Sequence, residues 1–107
     1  MNIWTVSGRI KEKFEAIADE IVDMLIKKNE DYGDGNLLRY GLYGICVRIA
    51  DKLARLENMV FKSPKTEETI EDTLKDIAGY AMNALRLLRE RRLGKGIENF
   101  EWWDPRD

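Results

Sequence analysis

Thr66-Glu-Glu-Thr-Ile70-Glu-Asp72-Thr-Leu74-Lys-Asp76-Ile77-Ala-Gly-Tyr80-Ala81-Met-Asn83-Ala-Leu85-Arg86-Leu-Leu88-Arg89 is the stretch that decides the fold. Ile70, Leu74, Ile77, Ala81, Leu85 and Leu88 recur at steps of three and four, the period of one helical face. Thr66 is an N-cap candidate, and Glu67 and Glu68 stand in the first turn, where the helix dipole favours anions. Arg86, Arg89, Arg91 and Arg92 crowd the last turn, and Gly94 and Gly96 supply a stop. From Ala78 to Leu85 the only strongly polar side chain is Asn83. A helix that is apolar on every side is surrounded by protein. Two partner helices do not easily surround it, so this segment is expected at the centre of a dimer or higher assembly.

Upstream, Leu42, Ile45, Ile49, Leu53, Leu56 and Val60 mark a second helix from about Leu42 to Phe61, stopped by Ser63-Pro64 and preceded by a helical turn at Leu37–Tyr40. A first helix runs from about Gly8 to Glu30, with Ser7 as its N-cap. Its buried stripe is Ile10, Phe14, Ile17, Ile21, Met24 and Leu25, and Tyr32-Gly33-Asp34-Gly35-Asn36 ends it. No strand alternation or repeat is evident. Three helices of this length with short connections predict an all-α bundle in a single domain over 1–107. An aromatic tail at 97–107 carries Phe100, Trp102 and Trp103, which either pack on the bundle or cover a pocket.

Composition narrows the chemistry. The chain has 107 residues, a net charge of -2, one cysteine and no histidine. Without histidine there is no Ser-His-Asp triad and no histidine base or ligand, so any acid, base or metal ligand is Asp, Glu, Lys, Tyr or backbone. Cys46, among Gly44, Ile45 and Val47, reads as a small packed hydrophobe, and a lone cysteine points to a reducing cytoplasm. Charges of both signs are interspersed, which argues against duplex nucleic-acid binding. No apolar run is long enough for a membrane span, and the first residues lack the features of a signal peptide.

Asp72 and Asp76 lie one turn apart, roughly opposite the Leu74/Ile77 stripe, and Tyr80 and Asn83 continue that face. Carboxylates so placed usually point to water. Two acids at i, i+4 repel, however, and they stand at the mouth of an apolar segment, which suits a hard divalent cation such as Mg²⁺. On the second helix, Arg48, Asp51, Lys52 and Arg55 form either a surface ion-pair ladder or an anion clamp, since arginine forks onto phosphate oxygens. Lys28, at the edge of the first stripe, either snorkels or reaches inward to an anion. Tyr32, beside Asp31 and the Gly-Asp-Gly turn, either stacks on a base or caps the core.

In order, Lys28-Asn-Glu-Asp31-Tyr32-Gly33, Gly44-Ile-Cys-Val-Arg48-Ile-Ala-Asp51-Lys52-Leu-Ala-Arg55-Leu56, Glu68 and Glu71-Asp72-Thr-Leu-Lys-Asp76-Ile-Ala-Gly-Tyr80 resemble the nucleotide-modification-associated domain family of phage and prokaryotic genomes. That family in turn resembles the MazG-like and dimeric dUTPase-like all-α nucleotide pyrophosphohydrolases. The resemblance covers about Lys27 to Leu88. It implies a nucleotide ligand and a Mg²⁺-dependent hydrolase, with Asp51, Asp72 and Asp76 as metal ligands and Glu68, Asp72 and Asp76 as the catalytic set. Lys28, Asp31, Tyr32, Arg48, Lys52, Arg55 and Tyr80 would bind substrate. The sequence departs from the MazG-like pattern, in which Glu-x-x-Glu stands on one helix and Glu-x-x-Asp on a later one. Arg48-Ile-Ala-Asp51 replaces a glutamate with a base, and Thr73-Leu-Lys-Asp76 has its spare carboxylate one place early, at Asp72. Altered metal occupancy, a monophosphate substrate, or binding without hydrolysis would each fit that change.

Overall fold

The computed structural model describes the backbone of residues 3–61 and 67–93, with side chains from 8–61 and 69–93. It is an all-α bundle. Helix α1 spans Ile3–Tyr32, α2 is a single turn at Gly35–Leu38, α3 spans Gly41–Phe61 and α4 spans Glu67–Arg89. There is no strand among the described residues. The three long helices match the three periodic segments, and α2 is the expected turn begun two residues earlier.

The termini need two corrections. α1 begins at Ile3, so Ser7 lies inside the helix and is not its N-cap. Nothing between Ile3 and Ser7 breaks a helix, and Gly8 costs only about 1 kcal/mol in an interior. α4 ends at Arg89, ahead of Gly94. Its last turn is closed by Arg92 N–H donating to Leu87 O at 3.0 Å and Arg91 N–H to Leu88 O at 3.0 Å. This is the pairing of a Schellman ending, with Arg91 at φ 58° in the position usually given to glycine. The first break uses glycine as the sequence suggests, with Gly33 at φ 67° and Gly41 at φ 60° on either side of α2. Thr66 and the aromatic tail, with Phe100, Trp102 and Trp103, lie outside the described residues.

α3 and α4 are antiparallel and share the core. Ile45, Leu87 and Leu93 are fully buried, with Leu42, Ile49, Tyr80 and Ala84 around them and Leu37 and Leu38 of α2 on top. α1 runs in the same direction as α4 and touches it through its second half. There Leu25 and Met24 close on Gly79, where an added Cβ would lie 3.0 Å from Leu25 Cδ2 and 3.1 Å from Met24 Cε. Lys75 and Glu20 pair across the same seam at 3.3 Å.

The buried stripes differ from those expected. On α1 only Ile21 is buried; Met24 and Leu25 are half-buried, while Ile10, Phe14 and Ile17 are exposed, Phe14 to 68%. Among the described residues no helix covers Ile10, Phe14 and Ile17. On α4 the buried face is shifted: Thr73, Gly79 and Leu87 are buried, and Asp76, Tyr80 and Asn83 are half-buried beside them, as are Ile70 and Ile77 of the expected stripe. Leu74, Ala81, Leu85 and Leu88 face outward. Asp76 can turn inward because cations from two other helices meet it there. Cys46 is exposed on α3 and is not the packed hydrophobe expected. Among the described residues no helix is long and apolar enough to cross a membrane.

Candidate functional site

Gly33 and α2 reverse the chain, and this brings the end of α1, the start of α3 and the middle of α4 around a cleft of about 370 Å³. Its wall includes Lys28, Asn29 and Tyr32 from α1, Asn36 and Leu37 from α2, Arg48 from α3, and Asp76, Gly79, Tyr80 and Asn83 from α4. Such a volume lies at the lower end of the range of roughly 300–1,000 Å³ for small-molecule sites.

Asp76 is the anionic centre of the floor. Lys28 Nζ of α1 donates to its Oδ1 at 3.1 Å, and Lys52 Nζ of α3 lies 3.2 Å from its Oδ2. Burial pushes the Asp76 carboxyl up, but the hydrogen bonds from the two lysines outweigh it, and the group sits below the ordinary carboxylate value. Lys52 is mostly covered, whereas Lys28 is 52% exposed and stands at the edge of the cleft. Arg48 is held differently. Its Nη2 donates to Asn36 O at 3.1 Å and Asn36 Oδ1 at 3.0 Å, so neutral oxygens aim the guanidinium and leave its charge uncompensated.

A second cluster fixes the rim. Asp34, in the break between α1 and α2, accepts from Arg86 Nη1 at 3.0 Å and Nη2 at 2.8 Å, from Arg92 Nη1 at 2.8 Å and from Asn29 Nδ2 at 2.6 Å. The Arg86 hydrogen bonds, opposed by burial and reinforced by Arg92, bring its carboxyl down to about 2. Arg86 also donates to Asn83 Oδ1 at 3.0 Å, and Glu90 completes the network at 3.2 Å from Arg92. The latch ties the Asn29–Asn36 segment to the C-terminal end of α4, and with it Tyr32 and the oxygens that aim Arg48. No family model, curated protein or solved structure matches the chain.

Of the residues singled out in the sequence, Lys28, Tyr32, Arg48, Asp76 and Tyr80 line one cleft, and Lys52 stands behind it on Asp76. Asp31, Asp51, Arg55 and Asp72 are exposed and do not line it. Among the described residues no three acidic or thiol groups come together. Asp76 is turned toward two lysines, while Asp51 and Asp72 are exposed. The side chain of Glu68 lies outside the described residues.

The sequence reading missed Asn36 as the residue that aims Arg48, and the whole Asp34–Arg86–Arg92 latch. Asp34 was legible only as a turn residue, and the arginines only as last-turn cations. Their meeting across about fifty residues leaves no periodic trace.

Proposed function

We propose that the cleft binds the phosphate-bearing end of a nucleotide, and that it does so without a carboxylate-held metal. The observation that carries this reading is Arg48, a guanidinium lining a half-enclosed cleft whose partners among the described residues are the oxygens of Asn36, beside the half-exposed ammonium of Lys28. Arginine forks onto phosphate oxygens and lysine adds a point charge. Tyr32 and Tyr80 offer ring faces for a base, and the Asn29, Asn36 and Asn83 amides offer polar contacts at its edges. The resemblance to nucleotide-handling all-α proteins points the same way.

Between binding and pyrophosphate hydrolysis, the exposure of Asp51 and Asp72 favours binding. Mg²⁺ enters this reading only as a companion of the ligand's own phosphates. Thermal melting with a panel of nucleoside mono-, di- and triphosphates tests it. At least one nucleotide raises the midpoint in EDTA, and Arg48→Ala and Lys28→Ala each remove most of the rise. A panel that shifts nothing at millimolar concentration, with or without Mg²⁺, would sink the proposal.

We further propose that the protein assembles with copies of itself. Among the described residues, fifteen large apolar side chains are more than a third exposed, against five hydrophobic residues that are buried. Ile10, Phe14 and Ile17 on α1 and Leu74, Leu85 and Leu88 on α4 present helical stripes wide enough for a partner helix. The surface beside the α1 stripe carries both signs of charge, as in the Lys11–Glu15 pair at 3.7 Å, which suits a self-complementary interface.

A further inference from the structure

We infer that Asp76 is a built-in counter-anion, shared by Lys28 and Lys52, which trims the cleft to a formal excess of two positive charges, and that this excess favours a phosphate dianion, the terminal monoester of a nucleotide, over a monoanionic diester. This rests on the phosphate reading above and assigns Asp76 the opposite role to a metal ligand. Lys28, Lys52 and Arg48 are three cations against the single carboxylate of Asp76, a formal excess of two positive charges.

The pairs are unequal. Lys52 and Asp76 are each about 21% exposed and make a covered pair behind the cleft, while Lys28 is 52% exposed and stands at its edge. An arriving phosphate draws Lys28 outward to join Arg48, and Asp76 keeps Lys52. Two cations then face the ligand over a neutral floor, a match for two negative charges. A monoanion leaves one of them uncompensated in a half-enclosed site, where charge imbalance is penalised more than in water. The volume of about 370 Å³ holds one nucleotide rather than an oligonucleotide.

Since the chain has no histidine, no side chain of the cleft ordinarily titrates near neutral pH. The pH profile of binding therefore reads the ligand's own second ionisation, near about pH 6.

Calorimetric titration of the full chain with the four common nucleoside 5′-monophosphates and their 3′,5′-cyclic counterparts tests this at about pH 5 and about pH 7.5. At the higher pH a monoester binds about tenfold more tightly than its cyclic diester, and the preference shrinks at the lower pH as the dianion is protonated. Asp76→Asn tightens the dianionic monoester about five- to tenfold and the monoanionic diester by less, because the added positive potential acts on two ligand charges rather than one. Lys52→Met weakens the monoester although Lys52 does not line the cleft, because Asp76 then holds Lys28 alone. Circular dichroism confirms that the variants fold, and the wild-type pH profile stands without them. Equal affinity for monoester and diester, or loss of binding in Asp76→Asn with the fold retained, overturns the role given to Asp76 alone. Failure of the wild type to bind any probe overturns the phosphate reading with it.

Discussion

At the scale of single residues, Asp34 carries a large electrostatic effect. Its carboxyl sits at about 2 in the folded protein against 3.8 ordinarily. A folded-state value below the unfolded one means stability that is fully present above about pH 4 and lost as pH falls toward 2. With the Asp34 side chain 17% exposed and its arginine partners rather more so, the contribution is discounted to roughly 1–2 kcal/mol. Asp34→Asn should therefore lower the unfolding free energy read from urea titration at neutral pH by that amount. The parent and variant curves should converge near about pH 2. Unfolding at both pH values checks this, and a gap that persists in acid would mean that packing, not charge, is what the residue supplies. Asp34 shows where sequence reading stops at this scale. A carboxylate in a Gly-Asp-Gly turn reads as turn chemistry, and nothing local announces two arginines more than fifty residues away. Lys28 is the opposite case, since its place on the edge of an apolar stripe already posed the question of an inward anion, and Asp76 answers it.

At the scale of elements, periodicity located all three long helices, because a helix repeats its burial every few residues whatever it packs against. It did not identify which face α4 buries. Two faces of α4 carry apolar residues, and hydropathy alone prefers the Leu74–Leu85 side; the choice of the Thr73–Tyr80–Leu87 side depends on Lys28 and Lys52 arriving from other helices to neutralise Asp76. The α1–α4 seam depends on Gly79, which lets Leu25 and Met24 approach the α4 backbone. Gly79→Leu should pry the helices apart, lower stability by about 1–3 kcal/mol and widen the cleft that Gly79 lines. Chemical denaturation with nucleotide titration measures both effects. An unchanged midpoint would show that α1 is held mainly by its ion pairs with Asp76 and Lys75.

At the scale of the whole molecule, one chain of this size buries few hydrophobic residues, and small domains are marginal on their own. Sedimentation over a range of concentrations should reveal a dimer or larger species. Phe14→Glu, which places a charge on the exposed α1 stripe, should shift it toward monomer with its helix content kept. A wild type that sediments as a monomer at all concentrations would refute self-assembly. The all-α class was legible from the spacing of apolar residues, and the exposed stripes are where that spacing ran ahead of what a single chain can cover.

The overhanging half of α1 also has a thermal consequence. Closing a surface made of Ile10, Phe14 and Ile17 releases ordered water and little heat near room temperature, so the driving force for that contact fades on cooling. A complex sealed there would come apart in the cold room before it did on the bench.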